Sequence, residues 1–268
     1  MRFEHEDLST GDCHDLAASP NGVQRFLTYI ETEDGQSQLN VRTGLGNNVW
    51  STSDIELDIP DVTFSDCTHI SHLRDNLYGI VWTVDGALHS ALFAPDNPEG
   101  QELLAGETVE GFSISGSITG ISLSFYDDSV MLVWVREDGS RINMMRGQVS
   151  DSELSFAGIA TFTQVSIASH SNAVAGPDGL YMATADDSDV NLLHTNGSGT
   201  DWSVVSSCES NRQIHSTLLY VDQDGDWRTL LSAFSLTNER MLNFSNCSTE
   251  LFQIPVGRGR RITYSSGT

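Results

Sequence analysis

Three observations predict an all-β chain built from five stacked sheet units. A loose unit of about fifty residues recurs five times, each copy carries short apolar runs joined by Asp/Gly/Asn turns, and helical periodicity is almost absent. The units open at His14, His69, Gly120, His170 and His215, in steps of 55, 51, 50 and 45 residues. A period of that size in a strand-rich chain is that of a β-propeller, whose four-stranded blades pack face to face around a central channel. The expectation is one five-bladed propeller of four-stranded antiparallel blades over residues 1–268. The blades fall at approximately 12–63, 64–113, 114–164, 165–209 and 210–258, with the termini closing the ring. Two packed β-sandwiches are the alternative: the turn spacing allows them, but the recurrence does not require them.

Each unit justifies its strands in order. The first has FLTYI, the Glu33-Asp34-Gly35 turn and QLNVR. LYGIVWTV, Asp85-Gly86 and ALHSALFA make the second. The third has ISLSFY, Asp127-Asp128, SVMLVWV, Glu137-Asp138-Gly139 and RINMMRG. In the fourth, NAVAG, Pro177-Asp178-Gly179 and LYMATA precede VNLLHT, and the fifth has IHSTLLYV, WRTLLSAF and RMLNFS. Runs of five to eight residues rich in Val, Ile, Leu and aromatics, punctuated by Asp-Gly, read as hairpins because those turn residues tolerate positive φ. Only QELLAGE reads as a brief helix.

The charge balance is lopsided, with 37 acids against 13 basic residues for a net −24, and every basic residue is arginine. Such a surface repels phosphate backbones, which disfavours nucleic acid as a partner. No apolar run approaches the roughly 20 residues that span a bilayer, so membrane insertion is not expected. The N-terminal MRFEHEDLSTGD has no apolar core, so no signal peptide is expected. An extracellular, surface or virion-associated location fits a chain that leaves the cell by another route; the cytoplasm fits as well. Cys13, Cys67, Cys208 and Cys247 form no CxxC pair, which argues against a zinc ribbon. Cys13 with Cys67 and Cys208 with Cys247 are candidate bridges between consecutive units, and four unpaired thiols are the alternative.

LNVRTGLGNNVWSTSDIELDIP and LLHTNGSGTDWSVVSS resemble degenerate hairpins of sialidase-like, BNR-repeat propellers. In that family a Ser/Thr-x-Asp-x-Gly-x-Thr-Trp box follows a strand and its Trp packs between strands. Thr195, Gly199 and Trp202 fit the box, Gly197 replaces its Asp, and around Trp50 only the general shape survives. The resemblance implies the propeller architecture. No sialidase arginine trio or Tyr/Glu pair can be placed on matching motifs, so no catalytic residue is carried over.

In a propeller the innermost strand of each blade lines the channel, and its ends help form a shared concave face. His14, His69, His170 and His215 recur near the start of that strand, with His72 close by, as candidates to meet a ligand. Trp50 and Trp202 lie near turns where an exposed ring could stack on a sugar, whereas Trp82 and Trp134 read as blade core. Cleaving a glycosidic bond requires two carboxyl groups roughly 5 to 10 Å apart, and Asp12, Asp15 and Asp66 lie nearest the inner strands. Asp34, Asp85, Asp138 and Asp178 are explained by turn chemistry. No motif demands a cofactor; the alternating acids Asp222, Asp224 and Asp226 could wrap one calcium ion. The leading functional expectation is a non-catalytic recognition propeller for a glycan or another surface ligand. The alternatives are a five-bladed glycoside hydrolase using a carboxylate pair, and a structural or receptor-binding component assembled into a larger particle. An enzyme concentrates distinctive polar residues in one cleft, while a lectin repeats its site.

Overall fold

The structure is a computed structural model. It describes residues 12–18, 25–33, 36–46, 49–50, 55–56, 68–84, 87–93, 103–108, 118–136, 139–150, 153–156, 161–167, 169–176, 178–186, 189–196, 202–209, 214–221, 227–234, 239–245 and 248–252. Among these the regular elements are all strands, arranged in five antiparallel sheets. The first sheet holds β1 (Asp12–Ala18), β2 (Arg25–Glu33), β3 (Gln36–Gly46) and β4 (Val49–Trp50), with β5 (Ile55–Glu56) also pairing β3. The second runs β6 (His69–Arg74), β7 (Leu77–Val84), β8 (Ala87–Phe93) and β9 (Leu103–Thr108). The third runs β10 (Ile118–Tyr126), β11 (Ser129–Arg136), β12 (Arg141–Val149) and β13 (Leu154–Phe156), with β14 (Thr161–Gln164) against β12. In the fourth, β15 (Ser169–His170) and β16 (Val174–Gly176) pair β17 (Gly179–Ala185), followed by β18 (Asp189–Thr195) and β19 (Ser203–Glu209). The fifth runs β20 (Ile214–Val221), β21 (Trp227–Phe234), β22 (Glu239–Ser245) and β23 (Ser248–Phe252).

The first strands lie side by side. β6 packs against β1 and β10, β16 against β10, and β15 against β20. That is the propeller arrangement, and five separate sheets rule out two sandwiches. The segment that reads as a helix, QELLAGE, instead supplies the outer strand β9. Leu103 and Leu104 pair Phe93 and Leu92 of β8, and this tertiary pairing overrides the local helix propensity.

Among the described residues, three apolar clusters fill the seams between the first four sheets. Phe26, Leu39 and Val41 meet Ile70, Tyr78, Ile80 and Trp82 between the first and second. Leu73, Val81 and Leu92 meet Ile121, Leu132 and Trp134 between the second and third. Met131, Val133 and Ile142 meet Leu180, Met182 and Trp202 between the third and fourth. Strand β11 shows why its sequence, SVMLVWVR, is apolar without alternation. Val130, Leu132 and Trp134 turn to the preceding blade, while Met131, Val133 and Val135 turn to the following one. Each large side chain buried this way contributes on the order of 1.5–3 kcal/mol, so these seams hold the blades together. The turns follow residue chemistry. Asp127 and Asp128, with φ of 50° and 52°, form the positive-φ pair that a two-residue hairpin turn requires, and Asp75 has φ of 46°.

Candidate functional site

Antiparallel pairing places the start of each inner strand at the same end of its sheet as the turn between the second and third strands. Asp12 pairs Ile30 near the end of β2, and His69 pairs Val81 near the end of β7. At this end the first and second blades are joined by a buried carboxylate–imidazole pair. Asp15 Oδ2 lies 2.5 Å from His69 Nδ1 and accepts a hydrogen bond from the Ile70 amide at 2.9 Å. Both residues are more than nine-tenths buried. The Thr28 hydroxyl donates to the Asp15 carbonyl, and the Thr68 hydroxyl donates to Val81 O, so both strand starts are tied to their own blades. A carboxylate buried here keeps its charge tolerable only because both donors satisfy it.

The corresponding seam between the third and fourth blades uses neutral groups. Ala173 N donates to Ser122 Oγ at 3.1 Å, and Ser124 Oγ donates to Ala173 O at 2.8 Å. Ser171 stands in for ladder pairing where β15 gives way to β16. Its amide donates to Ala183 O and its hydroxyl accepts from Ala183 N.

The five unit openings therefore have different surroundings. His170 Nδ1 donates to Ser171 O at 3.0 Å, and its ring lies over Gly120 so closely that a Cβ there would overlap Cε1. The break in the histidine series at Gly120 is thus the space that the next blade's histidine occupies. In β20 the register shifts between Ile214 and Ser216, with His215 between them. The same kind of shift falls at Cys13 in β1 and at Thr119 in β10. By that register the counterpart of His14 is Ser216, and His215 stands one position earlier. His14 pairs Tyr29; the side chains of Asp12, His14, Trp50 and His215 lie outside the described residues, as do Asp66, Asp222, Asp224 and Asp226 altogether.

Two expected ligand residues serve the fold instead. His72 sits three residues beyond His69, at the opposite end of β6, where Nε2 donates to Asp75 O at 2.9 Å and caps the positive-φ turn. Trp202, expected at an exposed turn, is 7% exposed within the cluster between the third and fourth blades, and its amide donates to Thr163 Oγ1. Burial between strands is the place the box gives its Trp. Thr195 Oγ1 is buried and has no hydrogen-bond partner among the described residues. Trp82 and Trp134 are core, 1% and 5% exposed.

Two features escaped the sequence reading. Asp15 and His69 each stood out, but their pairing did not; the hint was their separation of 54 residues, close to one unit. On the fourth blade, Tyr181 OH donates to Asp178 Oδ1 at 2.6 Å and His194 Nε2 donates to Asp178 O at 3.3 Å. Burial, with the hydrogen bond to Asp178 and the carboxylate's charge, pushes the Tyr181 hydroxyl up to about 12. This cluster closes the turn at Gly179, where a Cβ would meet His194 Nε2 at 2.6 Å. Among the described residues, no group of three or more His, Cys, Asp or Glu is arranged to hold a metal ion.

No family model and no curated protein matches the chain. Among solved structures it is similar to the PQQ-bound aldose sugar dehydrogenase from Streptomyces coelicolor, with a TM-score of 0.57 and 13% identity over 95% of this chain and 84% of that one. It is also similar to the Hadza microbial sialidase Hz136, with a TM-score of 0.56 and 12% identity over 84% of this chain and 52% of that one. The exo-β-1,3-galactanase 1,3Gal43A from Clostridium thermocellum gives a TM-score of 0.55 and 9% identity, covering 93% of this chain and 63% of that one. At these identities the likeness is one of fold.

Proposed function

We propose that this propeller is a carbohydrate-acting enzyme that hydrolyses a glycosidic bond at the mouth where β1 and β6 begin. The observation that carries this reading is the inequality of the seams. A carboxylate–imidazole pair, Asp15–His69, joins the first two blades, whereas serine hydroxyls join the third and fourth. Distinctive polar chemistry gathered in one place favours an enzyme over a binding site repeated in each blade. The names of the three similar structures, a sugar dehydrogenase, a sialidase and a galactanase, support a carbohydrate as the ligand class.

Asp15 is committed to His69 and the Ile70 amide, which leaves Asp12 and Asp66 as the candidate carboxyl groups of the reaction. Asp12 opens β1, three residues before Asp15, and pairs Ile30 of β2. The test is sugar release from a panel of aryl glycosides and oligosaccharides, with Asp12→Asn and Asp66→Asn beside the wild type. Turnover that one of these substitutions lowers by about 100-fold or more supports the reading. Saturable glycan binding without product would replace it with the recognition propeller. A chain that binds no glycan and is recovered in assembled particles would replace it with the structural component.

A further inference from the structure

We propose that His69 is the proton-accepting base of this site and that Asp15 is the carboxylate that orients it, an assignment that rests on the glycoside-hydrolase reading above. The geometry fixes the tautomer of the neutral ring. Asp15 Oδ2 accepts from the Ile70 amide and faces Nδ1 of His69, so in the neutral imidazole Nδ1 carries the proton and Nε2 is the basic nitrogen. Among the described residues no hydrogen bond engages Nε2, and the His69 side chain keeps 9% of its surface exposed. A carboxylate on Nδ1 orients the imidazole and stabilises the imidazolium formed when Nε2 takes up a proton. His72 and His170 differ, each donating a ring N–H to a backbone carbonyl as a local brace.

Blade docking alone does not account for the pair. Ser122 and Ser124 tie the third blade to Ala173 of the fourth without any charge. A buried charged group generally holds elements together no better than neutral groups of similar size. What the charged tie adds is a basic nitrogen held in one orientation at the start of an inner strand.

In the step proposed, water gives a proton to Nε2 as its oxygen bonds to the anomeric carbon. The bond from that carbon to the leaving oxygen breaks, and the leaving oxygen takes a proton from a carboxyl group, the role offered by Asp12 or Asp66. The imidazolium then releases its proton to solvent and the carboxylate is reprotonated.

The test compares kcat and KM of the wild type with those of His69→Gln and His69→Ala, the latter with and without added imidazole, on whichever aryl glycoside the wild type cleaves. Gln can still donate to Asp15, so the tie persists while the base is lost. The expected result is a fall in kcat of about 100-fold or more with KM little changed, partly restored by imidazole in His69→Ala. Wild-type kcat in His69→Gln, or no rescue in a folded His69→Ala, overturns the assignment and leaves the hydrolase reading standing. If neither variant folds, 15N-histidine spectra of the wild type decide. A proton on Nδ1, with an Nε2 resonance that moves when the glycoside is added, supports the base. A proton on Nε2, or an unmoved resonance at saturation, overturns it. A wild type that releases no sugar from any glycan removes the hydrolase reading, and the base with it.

Discussion

Gly120→Ala probes the join between the third and fourth blades with a single methyl group. A Cβ at 120 would overlap His170 Cε1 and stand 3.1 Å from its Nε2. The ring cannot withdraw without disturbing the 3.0 Å hydrogen bond from Nδ1 to Ser171 O. Overpacking of this kind costs about 1–3 kcal/mol. Replacing glycine by alanine also restricts the unfolded chain and returns about 0.4–1 kcal/mol. The net loss is about 0–2.6 kcal/mol, or a fall in Tm of up to roughly 10 °C for a domain of this size. Thermal melts of Gly120→Ala, His170→Ala and the double variant measure it. In the double variant the methyl enters space that the ring has left, so the penalty of Gly120→Ala should shrink by about 1 kcal/mol. An equal penalty for Gly120→Ala with and without His170 refutes the contact.

The neutral tie and the half-buried histidine on β8 give two further outcomes. Ser122→Ala strips the acceptor from the buried Ala173 amide and should cost about 1–3 kcal/mol in denaturant unfolding. Ser124→Ala only removes a donor from Ala173 O and should cost about 1 kcal/mol, so equal losses would contradict the assignment. His89 stacks flat on Trp82, at 5.6 Å between ring centres and 14° between planes, and burial lowers its pKa from 6.5. The folded chain then takes up this proton less readily than the unfolded one, so stability is intact above pH 6.5 and lost as pH falls below it. His89→Gln should flatten the decline of Tm between pH 7 and 5; a slope identical to wild type removes His89 as its source.

The architecture was legible because turn chemistry and strand composition repeat. Asp127-Asp128 names its own hairpin, and the unbroken apolar run of β11 signals a strand covered on both faces. LLAGET misleads because Leu, Ala and Glu favour helix until β8 offers a ladder. The tryptophans divide by neighbours that no local pattern reveals: Trp202 lies near a turn in sequence and between blades in space. The histidine recurrence suggested equivalence, but register and packing separate its members. Gly120 yields to His170, a strand irregularity displaces His215, and His72 belongs to the far end of β6. The Asp15–His69 pair could not be read from either unit, since it depends on how two inner strands are offset across a seam.

His69 and His72 stand near opposite ends of β6, one held by a carboxylate and the other by a turn carbonyl. The most direct test of the site is therefore glycoside turnover by His69→Gln and His72→Gln measured side by side. A site at the mouth where β1 and β6 begin requires kcat to collapse in His69→Gln and to stay near wild type in His72→Gln. Activity kept in His69→Gln and lost in a folded His72→Gln would place the chemistry at the other face and contradict the account.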